Sequence, residues 1–298
     1  MELGTMGLPR LEMIDIVQEL QIKHCGVMAG AHAPEGTWNG INQALRMGLN
    51  PIGTVPVEQA EAYDGMFYYD FSKKVRWCAK ELPLRTYVIW EEPALPYIVG
   101  DKFKFRDYMT LLRVAYETIK EVDPSIQVWN GGIGMHGGLW TIQEFLTEAI
   151  DYTDAVNLHT FHFDADCRRV VELISGLISR TIIFLEAIGK SKPIVCTEWG
   201  YPTSENETTY GSFVDPTGVV PAVREAEQAY IVKEVLDMCA PVMPQFHFAI
   251  LQSYESPHWG GHTGLIDESG KKLASYYATL EWLKQQEEDA KCLPTQSA

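Results

Sequence analysis

The sequence predicts a single (β/α)8 barrel over residues 1–298, and three observations support this α/β fold class. Short apolar, β-branched runs alternate with longer segments of helical periodicity, which is the pattern of parallel βα units. Eight such alternations occur along the chain, more than an open doubly wound sheet usually has. The length of 298 residues suits one barrel, whose typical size is about 250 residues before insertions.

The predicted strands are short apolar runs bounded by glycine, proline or polar residues. In chain order they cover residues 2–6, 23–28, 51–56, 86–90, 126–131, 155–159, 193–197 and 246–251. Because a helical segment follows each run, consecutive strands are expected to lie parallel.

The predicted helices have apolar residues at three- and four-residue steps, which places those residues on one face. The segment 105–121 shows this pattern in Tyr108, Leu111, Leu112, Ala115 and Ile119. In chain order the helices cover residues 11–21, 38–47, 72–82, 105–121, 141–152, 168–187, 222–239 and 273–286.

Three long irregular stretches are predicted, at residues 58–70, 201–220 and 253–267. All three follow strands, and the loops that follow strands form the face of a barrel where active sites lie. No linker, charge block or low-complexity tract divides the chain into two domains.

The composition disfavours several kinds of partner. Hydrophobic residues make up 46% and charged residues 21% of the chain, as in a globular protein with a substantial core. No apolar run reaches the roughly 18 residues of a membrane span. With 24 basic and 40 acidic residues, the formal charge of −16 disfavours nucleic acid, anionic membranes and strongly anionic substrates.

Cysteine usage and the start of the chain leave the cellular compartment open. The six cysteines contain no CxxC pair, which argues against a zinc or redox motif. The segment "MELGTMGLPR" lacks a basic region followed by an apolar one, so no signal peptide is predicted. A secreted or periplasmic protein whose N-terminus had been trimmed would look the same. The sequence does not indicate an oligomeric state.

Polar and aromatic residues gather where the later predicted strands end. The fourth strand runs into Glu91 and Glu92, and the seventh into Glu198 and Trp199. The fifth, sixth and eighth strands lead to Asn130, His159, His162, Tyr254 and Trp259. An acid after an apolar strand is costly to bury without partners, which favours a functional role for the glutamates. A buried structural glutamate at 198, a core histidine at 159 and loop packing by Trp259 are the structural alternatives.

Two carboxylates from different strands of one barrel suit glycoside hydrolysis. A retaining glycosidase needs one carboxyl group as acid and base and one as nucleophile, at about 5–5.5 Å separation. Glu92 and Glu198 lie about three βα units apart, at about 35 residues per unit. The spacing therefore fits the ends of the fourth and seventh strands.

Four segments resemble motifs of the clan A glycoside hydrolases, in the same order along the chain. "VIWEEP" looks like the W-N-E-P signature that ends strand four, and "PIVCTEWGYP" looks like the strand-seven nucleophile segment. "DAVNLHTF" is similar to the strand-six pattern, and "GLIDESGKKLASYYA" to the closing segment of members such as family 39. Family 5 type enzymes are the other group that the chain resembles.

The resemblance implies a role for each matching residue. Glu92 would be the general acid and base, Glu198 the nucleophile and His159 a support near the nucleophile. Trp199, Tyr254 and Trp259 would stack on sugar faces, because flat aromatic surfaces suit the apolar face of a pyranose. The other substrate-binding candidates are Glu91, Asn130 and His162.

The chain departs from the clan pattern at three places. Glu91 stands where the clan has asparagine, the usual arginine after strand two is absent from "HCGVMAGAH", and Phe161 replaces a tyrosine. Three interpretations of Glu91 are open: its charge keeps Glu92 protonated, its carboxylate binds a donating hydroxyl or amino group of the substrate, or the change from asparagine means that activity was lost. With Phe161 in place, His159 or His162 would orient Glu198.

The sequence therefore predicts a retaining glycoside hydrolase that cleaves a β-linked glycoside or polysaccharide, with no metal or organic cofactor. One alternative is a carbohydrate-binding pseudoenzyme on the same barrel. Another is a metal-dependent hydrolase using His32, His159, His162 and the acids, although these histidines lack a recognisable ligand spacing.

Overall fold

The computed structural model describes residues 1–30, 34–58, 62–93, 103–134, 142–161, 166–201, 208–209, 219–220, 225–252, 264–267 and 269–292. Within these residues, nine parallel strands form one sheet, and a two-residue strand at Ile133–Gly134, which pairs with Leu158 and His159, adds to the eight longer strands of the inner wall. The eight longer strands are β1 (Glu2–Thr5), β2 (Ile22–Met28), β3 (Asn50–Val55), β4 (Thr86–Ile89), β5 (Gln127–Asn130), β6 (Val156–His159), β7 (Ile194–Trp199) and β8 (Gln245–Phe248).

The strands pair in chain order around a closed ring. Backbone ladders join β1 to β2, β2 to β3, β3 to β4 and β4 to β5. A parallel bridge between Trp129 and Ala155 links β5 to the start of β6. Ladders then join β6 to β7, β7 to β8, and β8 back to β1. The predicted (β/α)8 barrel is confirmed, and its strand ends meet at one face.

Eight helices of the described residues follow the strands. They are α1 (Ile14–Glu19), α2 (Pro34–Arg46), α3 (Gly65–Glu81), α4 (Phe105–Val122), α5 (Ile142–Ala149), α6 (Cys167–Ala187), α7 (Glu225–Cys239) and α8 (Ala274–Cys292). Short 3-10 helices at Leu11–Met13 and Ile150–Tyr152 adjoin α1 and α5 and cover most of what remains of their predicted ranges. The predicted apolar face of α4 is buried in full.

The core has two layers because successive side chains of a strand point to opposite sides of the wall. The large layer lies between strands and helices. A small interior cluster contains Ile52, Val88, Trp129, Ala155 and Val195, contributed by β3 to β7. This apolar cluster occupies part of the barrel interior, as side chains do in barrels of this type.

Several predicted boundaries differ from the structure, and two of the differences have a clear local reason. Helix α3 begins at Gly65 inside a stretch predicted as irregular, because the Asp64 carboxylate caps it by accepting from Met66 N and Phe67 N, both at 3.0 Å. Helix α8 continues to Cys292, beyond the predicted end at residue 286. Strand β4 ends one residue early because Trp90 has a φ of 66°.

None of the described helices combines the length and the apolar character that a membrane span requires.

Candidate active site

Strand β4 ends in a backbone elbow that turns two glutamates toward the mouth of the barrel. Trp90 and Glu92 have φ angles of 66° and 39°, which lie in the left-handed region that bulky residues rarely adopt. Strain of this kind costs on the order of 1–3 kcal/mol per residue and is concentrated at functional sites. The turn buries Trp90 against Phe103, at 4.8 Å between ring centroids, and leaves Glu91 and Glu92 on the open side.

Tyr108 of α4 braces this elbow from behind. Its buried hydroxyl donates to Ile89 O at 3.1 Å and accepts from Gly131 N at 2.7 Å, which ties the ends of β4 and β5 together. Gly131 is required there, because a Cβ would lie 2.9 Å from Ile89 O and 3.0 Å from Trp90 O.

A β-bulge in β7 sets the direction of Glu198. Cys196 pairs with Phe246 of β8 and Trp199 pairs with Phe248, so Thr197 and Glu198 together oppose His247 alone. A bulge interrupts the alternation of side chains along a strand and can re-aim one of them. Here it places Thr197 and Glu198 both on the interior side, where they line one cavity, and sends Trp199 outward.

His159 of β6 lies between the two glutamates. Its Nδ1 atom is 3.1 Å from Glu92 Oε1 and 3.6 Å from Glu198 Oε2. One oxygen of each carboxylate and one ring nitrogen of His159 all lie within 4.8 Å of one another. The elbow and the bulge, on strands four and seven, thus bring their acids together across the mouth.

A hydrogen-bond chain fixes the far side of the His159 ring. His159 Nε2 is 3.1 Å from Thr197 Oγ1, which accepts from Asn157 Nδ2 at 2.7 Å. If Nδ1 carries a proton toward Glu92, a neutral ring must accept at Nε2 from the Thr197 hydroxyl. A protonated ring instead donates from Nε2 to Thr197 Oγ1, and the Thr197 hydroxyl can then donate its proton to another acceptor inside the barrel. Gly132 makes room for the ring, since a Cβ at this position would overlap the imidazole.

Burial and like charge determine the proton affinity of this cluster. Burial raises the pKa of Glu198 to about 8; the charge of His159 opposes this rise, and those of Glu92 and Glu91 add to it. Burial also raises the pKa of Glu91. For His159, burial lowers the pKa, but the Glu92 hydrogen bond and the three carboxylates raise it to a value above its ordinary one. The cluster therefore retains protons at neutral pH.

A cleft of about 670 Å³ opens beside the elbow, over the ends of β1 to β3. Glu91 forms part of its wall, together with Glu58 and Lys74. Lys74 Nζ donates to Pro56 O at 2.9 Å and lies 3.8 Å from Glu58, so its charge is already engaged. The volume is within the range of small-molecule sites.

Two sequence-predicted substrate contacts occupy structural positions. Asn130 is fully buried: its Nδ2 donates to Gly131 O and Asn157 O, and its Oδ1 accepts from Asn157 N at 2.9 Å. Its amide is used inside the wall, where it aligns β5 with β6. Trp199 is 1% exposed and packs on Phe246 and Phe248, because the bulge turns it outward. Neither side chain presents a free surface to a sugar.

Of the other predicted substrate contacts, one lies on the cleft. Glu91 lies on the cleft wall, whereas His162, Tyr254, Trp259 and the proposed metal ligand His32 lie outside the described residues. Sequence reasoning missed Asn157, Thr197 and Tyr108. Asn157 could have been found, because it stands two residues before His159 and so shares its side of the strand, whereas Thr197 joins Glu198 on the interior side only through the bulge.

Glu92, His159 and Glu198 also offer one ligand atom each within the reach of a divalent cation. Two acids and one imidazole suit several metals. The three atoms equally suit acid–base chemistry, because His159 already holds the two carboxylates in place.

No family model and no curated protein matches this chain. Solved structures do match, at low sequence identity. A family 39 glycoside hydrolase from Bacteroides cellulosilyticus WH2 is 16% identical, with a TM-score of 0.64 over 94% of this chain and 63% of its own. A monomeric β-xylosidase from Caulobacter crescentus CB15 is 18% identical, with a TM-score of 0.65 over 93% of this chain and 66% of its own.

A family 5, subfamily 18 structure from Streptomyces cattleya, in complex with GlcNAc, is 11% identical, with a TM-score of 0.68. It aligns with 100% of this chain and 81% of its own. The chain spans less than two thirds of the family 39 structure and about two thirds of the β-xylosidase. In fold, the chain is similar to clan A glycoside hydrolases of families 39 and 5, and its barrel is the one that these structures share.

Proposed function

We propose that this protein is a retaining glycoside hydrolase in which Glu198 is the nucleophile and Glu92 the general acid and base. The observation that carries the proposal is the convergence of an oxygen from each carboxylate within 4.8 Å, around His159. This approach suits the short carboxyl separation of retaining enzymes, about 5–5.5 Å, and leaves too little room for the water of an inverting enzyme.

The reaction proceeds in two displacements. Glu198 attacks the anomeric carbon while the bond to the leaving oxygen breaks and Glu92 gives that oxygen its proton. Glu92, now a carboxylate, then takes a proton from water as the water oxygen bonds to the anomeric carbon and the bond to Glu198 breaks. The sugar leaves with retained configuration, and both glutamates return to their starting protonation states.

His159 supports both steps by bridging the glutamates. Its Nδ1 atom contacts Glu92 at 3.1 Å, and its positive form stabilises an ionised Glu198 at 3.6 Å. Because the pKa of Glu198 is raised to about 8, His159 and the substrate must together favour the ionised nucleophile. Glu91 works against this, since its charge raises the pKa of Glu198 further.

The substrate we propose is a β-linked glycoside or polysaccharide, held in the cleft beside Glu91. The acidic surface and the carboxylates at the mouth favour a neutral or cationic sugar over an anionic one. The chemistry of the two glutamates needs no metal or organic cofactor, and metal analysis of the purified protein tests the alternative metal-dependent hydrolase.

The test is mass spectrometry of the protein after incubation with a panel of activated 2-fluoro glycosides, followed by peptide mapping. One sugar adduct on Glu198 is expected, and its identity names the sugar. Glu198→Gln should give no adduct, whereas Glu92→Ala should give one with activated leaving groups and regain turnover with azide.

An adduct on another residue would refute the assignment of the nucleophile. No adduct from folded protein, together with glycan-array binding, would favour the carbohydrate-binding pseudoenzyme. That outcome would make Glu91 the mark of lost turnover.

A further inference from the structure

His247 lies opposite Glu198 in the pairing of β8 with β7, and one of its ring nitrogens has no hydrogen-bond partner among the described residues. It is the single β8 residue opposite the bulge that carries Thr197 and Glu198. The side chain is 1% exposed, and its Nε2 atom has no hydrogen-bond partner among the described residues. Gly4, across from it on β1, keeps the space for the ring, since a Cβ there would overlap the imidazole. A buried unpaired polar group of this kind calls for a bound partner.

A small interior cavity of about 20 Å³ adjoins this ring. A buried water needs about 10–15 Å³ and two to four polar partners, so the cavity admits one water molecule. His247 and Glu198 both line it, and the remaining polar side chains on its wall are Thr54, Glu91, His159 and Thr197. His247 and Glu198 thus line the same small space.

The electrostatic surroundings make His247 a neutral hydrogen-bonding group. Burial, and then the charges of His24 and His159, lower the pKa of His247 to about 3. His24, on β2, stacks on His247 with 5.8 Å between ring centroids and pairs with Glu2 at 2.7 Å. The other charged groups facing the cavity are Glu91, His159 and Glu198, with Glu92 beside them. A neutral ring donates from one nitrogen only.

We propose that this cavity binds one ordered water molecule, which accepts a hydrogen bond from His247 Nε2–H and donates one to the Glu198 carboxylate. His247 is then a positioning residue for the nucleophile, acting through the water without touching the substrate. The catalytic part of this inference rests on the proposed function. The water and its effect on Glu198 do not, because a hydrogen bond to a carboxylate favours its charged form whether or not turnover follows.

The first test is a crystal structure of the full chain at a resolution that shows other buried waters. Density is expected in the cavity, within hydrogen-bond distance of His247 Nε2 and Glu198. An empty cavity would overturn the proposal.

The second test measures the pKa of Glu198 by carboxyl NMR in three variants. His247→Phe keeps a ring but has no nitrogen, so the pKa of Glu198 should rise and the acidic limb of kcat/KM should move to higher pH. We expect kcat/KM to fall about ten-fold, the effect of losing one hydrogen bond to a charged group. His247→Gln supplies a hydrogen-bond donor and should restore the pKa of Glu198 and kcat/KM to their wild-type values. His24→Phe, the matched control, changes a ring that does not line the cavity and should leave the pKa of Glu198 unchanged.

The outcomes separate this inference from the proposed function. If the wild-type protein cleaves no glycoside but His247→Phe raises the pKa of Glu198, the proposed function is refuted and the proposal of a bound water stands. If the pKa of Glu198 is the same in wild type, His247→Phe and His247→Gln, the positioning role is refuted even in an active enzyme. If His247→Phe does not fold, the density in wild type and in His247→Gln decides.

Discussion

Tyr108→Phe is the substitution that tests whether the strained elbow is held from outside the site. The change removes one buried hydroxyl that serves two backbone groups, Ile89 O and Gly131 N. A buried group left without its partner costs about 1–3 kcal/mol. Since Gly131 N loses its acceptor and Ile89 O a donor, we expect the free energy of unfolding to fall by about 2–4 kcal/mol.

Tyr87→Phe is the matched control. Tyr87 is equally buried, but among the described residues its hydroxyl makes one hydrogen bond, to Cys78 O at 2.7 Å. That carbonyl also accepts from Leu82 N at 3.0 Å. Removing the Tyr87 hydroxyl therefore leaves Cys78 O still paired, so the free energy of unfolding should fall by only about 1 kcal/mol. The two variants therefore differ in what the hydroxyl holds, while the chemical change is the same.

The assays are denaturant unfolding and the rate at which an activated 2-fluoro glycoside labels Glu198. Tyr108→Phe should be the less stable variant and should turn over glycosides with poor leaving groups more slowly, because the elbow that carries Glu92 loosens, whereas labelling of Glu198 by the activated reagent should change little. Tyr87→Phe should keep the wild-type rates. Equal losses of stability in the two variants would refute the bracing by Tyr108, and unchanged turnover in Tyr108→Phe would show that the elbow holds its shape without it.

Three further predictions concern the centre of the site. Gly132→Ala should lower turnover by at least ten-fold and destabilise the fold, because its Cβ would displace the His159 ring. The control is Gly176→Ala, which lies within α6 and near only the flexible end of Arg180. It should be neutral or slightly stabilising in the same assays. Glu91→Gln should move the acidic limb of the kcat/KM profile to lower pH, because it removes a charge that raises the pKa of Glu198, and an unmoved limb would contradict that coupling. Glu198→Gln should gain stability relative to wild type as pH rises, because the pKa of Glu198 is raised from 4.5 to about 8 in the folded protein. The stability that the protonated Glu198 gives the wild type is full below pH 4.5, falls by up to about 1.4 kcal/mol per pH unit between pH 4.5 and 8, and is lost above that range. Parallel unfolding curves of the two proteins at about pH 5 and about pH 9 would detect the change.

The barrel could be predicted from the sequence because its signals are local. Each strand is an apolar run and each helix a one-sided apolar pattern, so element type follows from spacing within about ten residues. The start of α3 was missed because Asp64 acts as a cap, a single side chain in a stretch that otherwise looks irregular. Boundaries of this kind depend on one hydrogen bond and leave little trace in periodicity.

The acids of the site were predictable for a different reason. Glu92 and Glu198 follow apolar strands, where an unpartnered charge is expensive, and this cost marks them in the sequence. The roles of Asn130 and Trp199 depend on registers that no local pattern carries. A two-for-one pairing between β7 and β8 turns Trp199 outward, and the β5–β6 contact consumes the amide of Asn130. Contacts across strands distant in the chain decided both.

The bulge in β7 also has a consequence for how such a barrel could change over evolutionary time. Deleting one residue between Cys196 and Trp199 would restore regular pairing with β8 and leave the wall intact. Only one interior side chain would then remain where Thr197 and Glu198 now stand, so the barrel would keep its cleft and lose either Glu198, the proposed nucleophile, or the Thr197 hydroxyl that contacts His159. If the proposed function holds, a single in-frame codon loss would turn a sugar-cleaving barrel into a sugar-binding one without a change of fold.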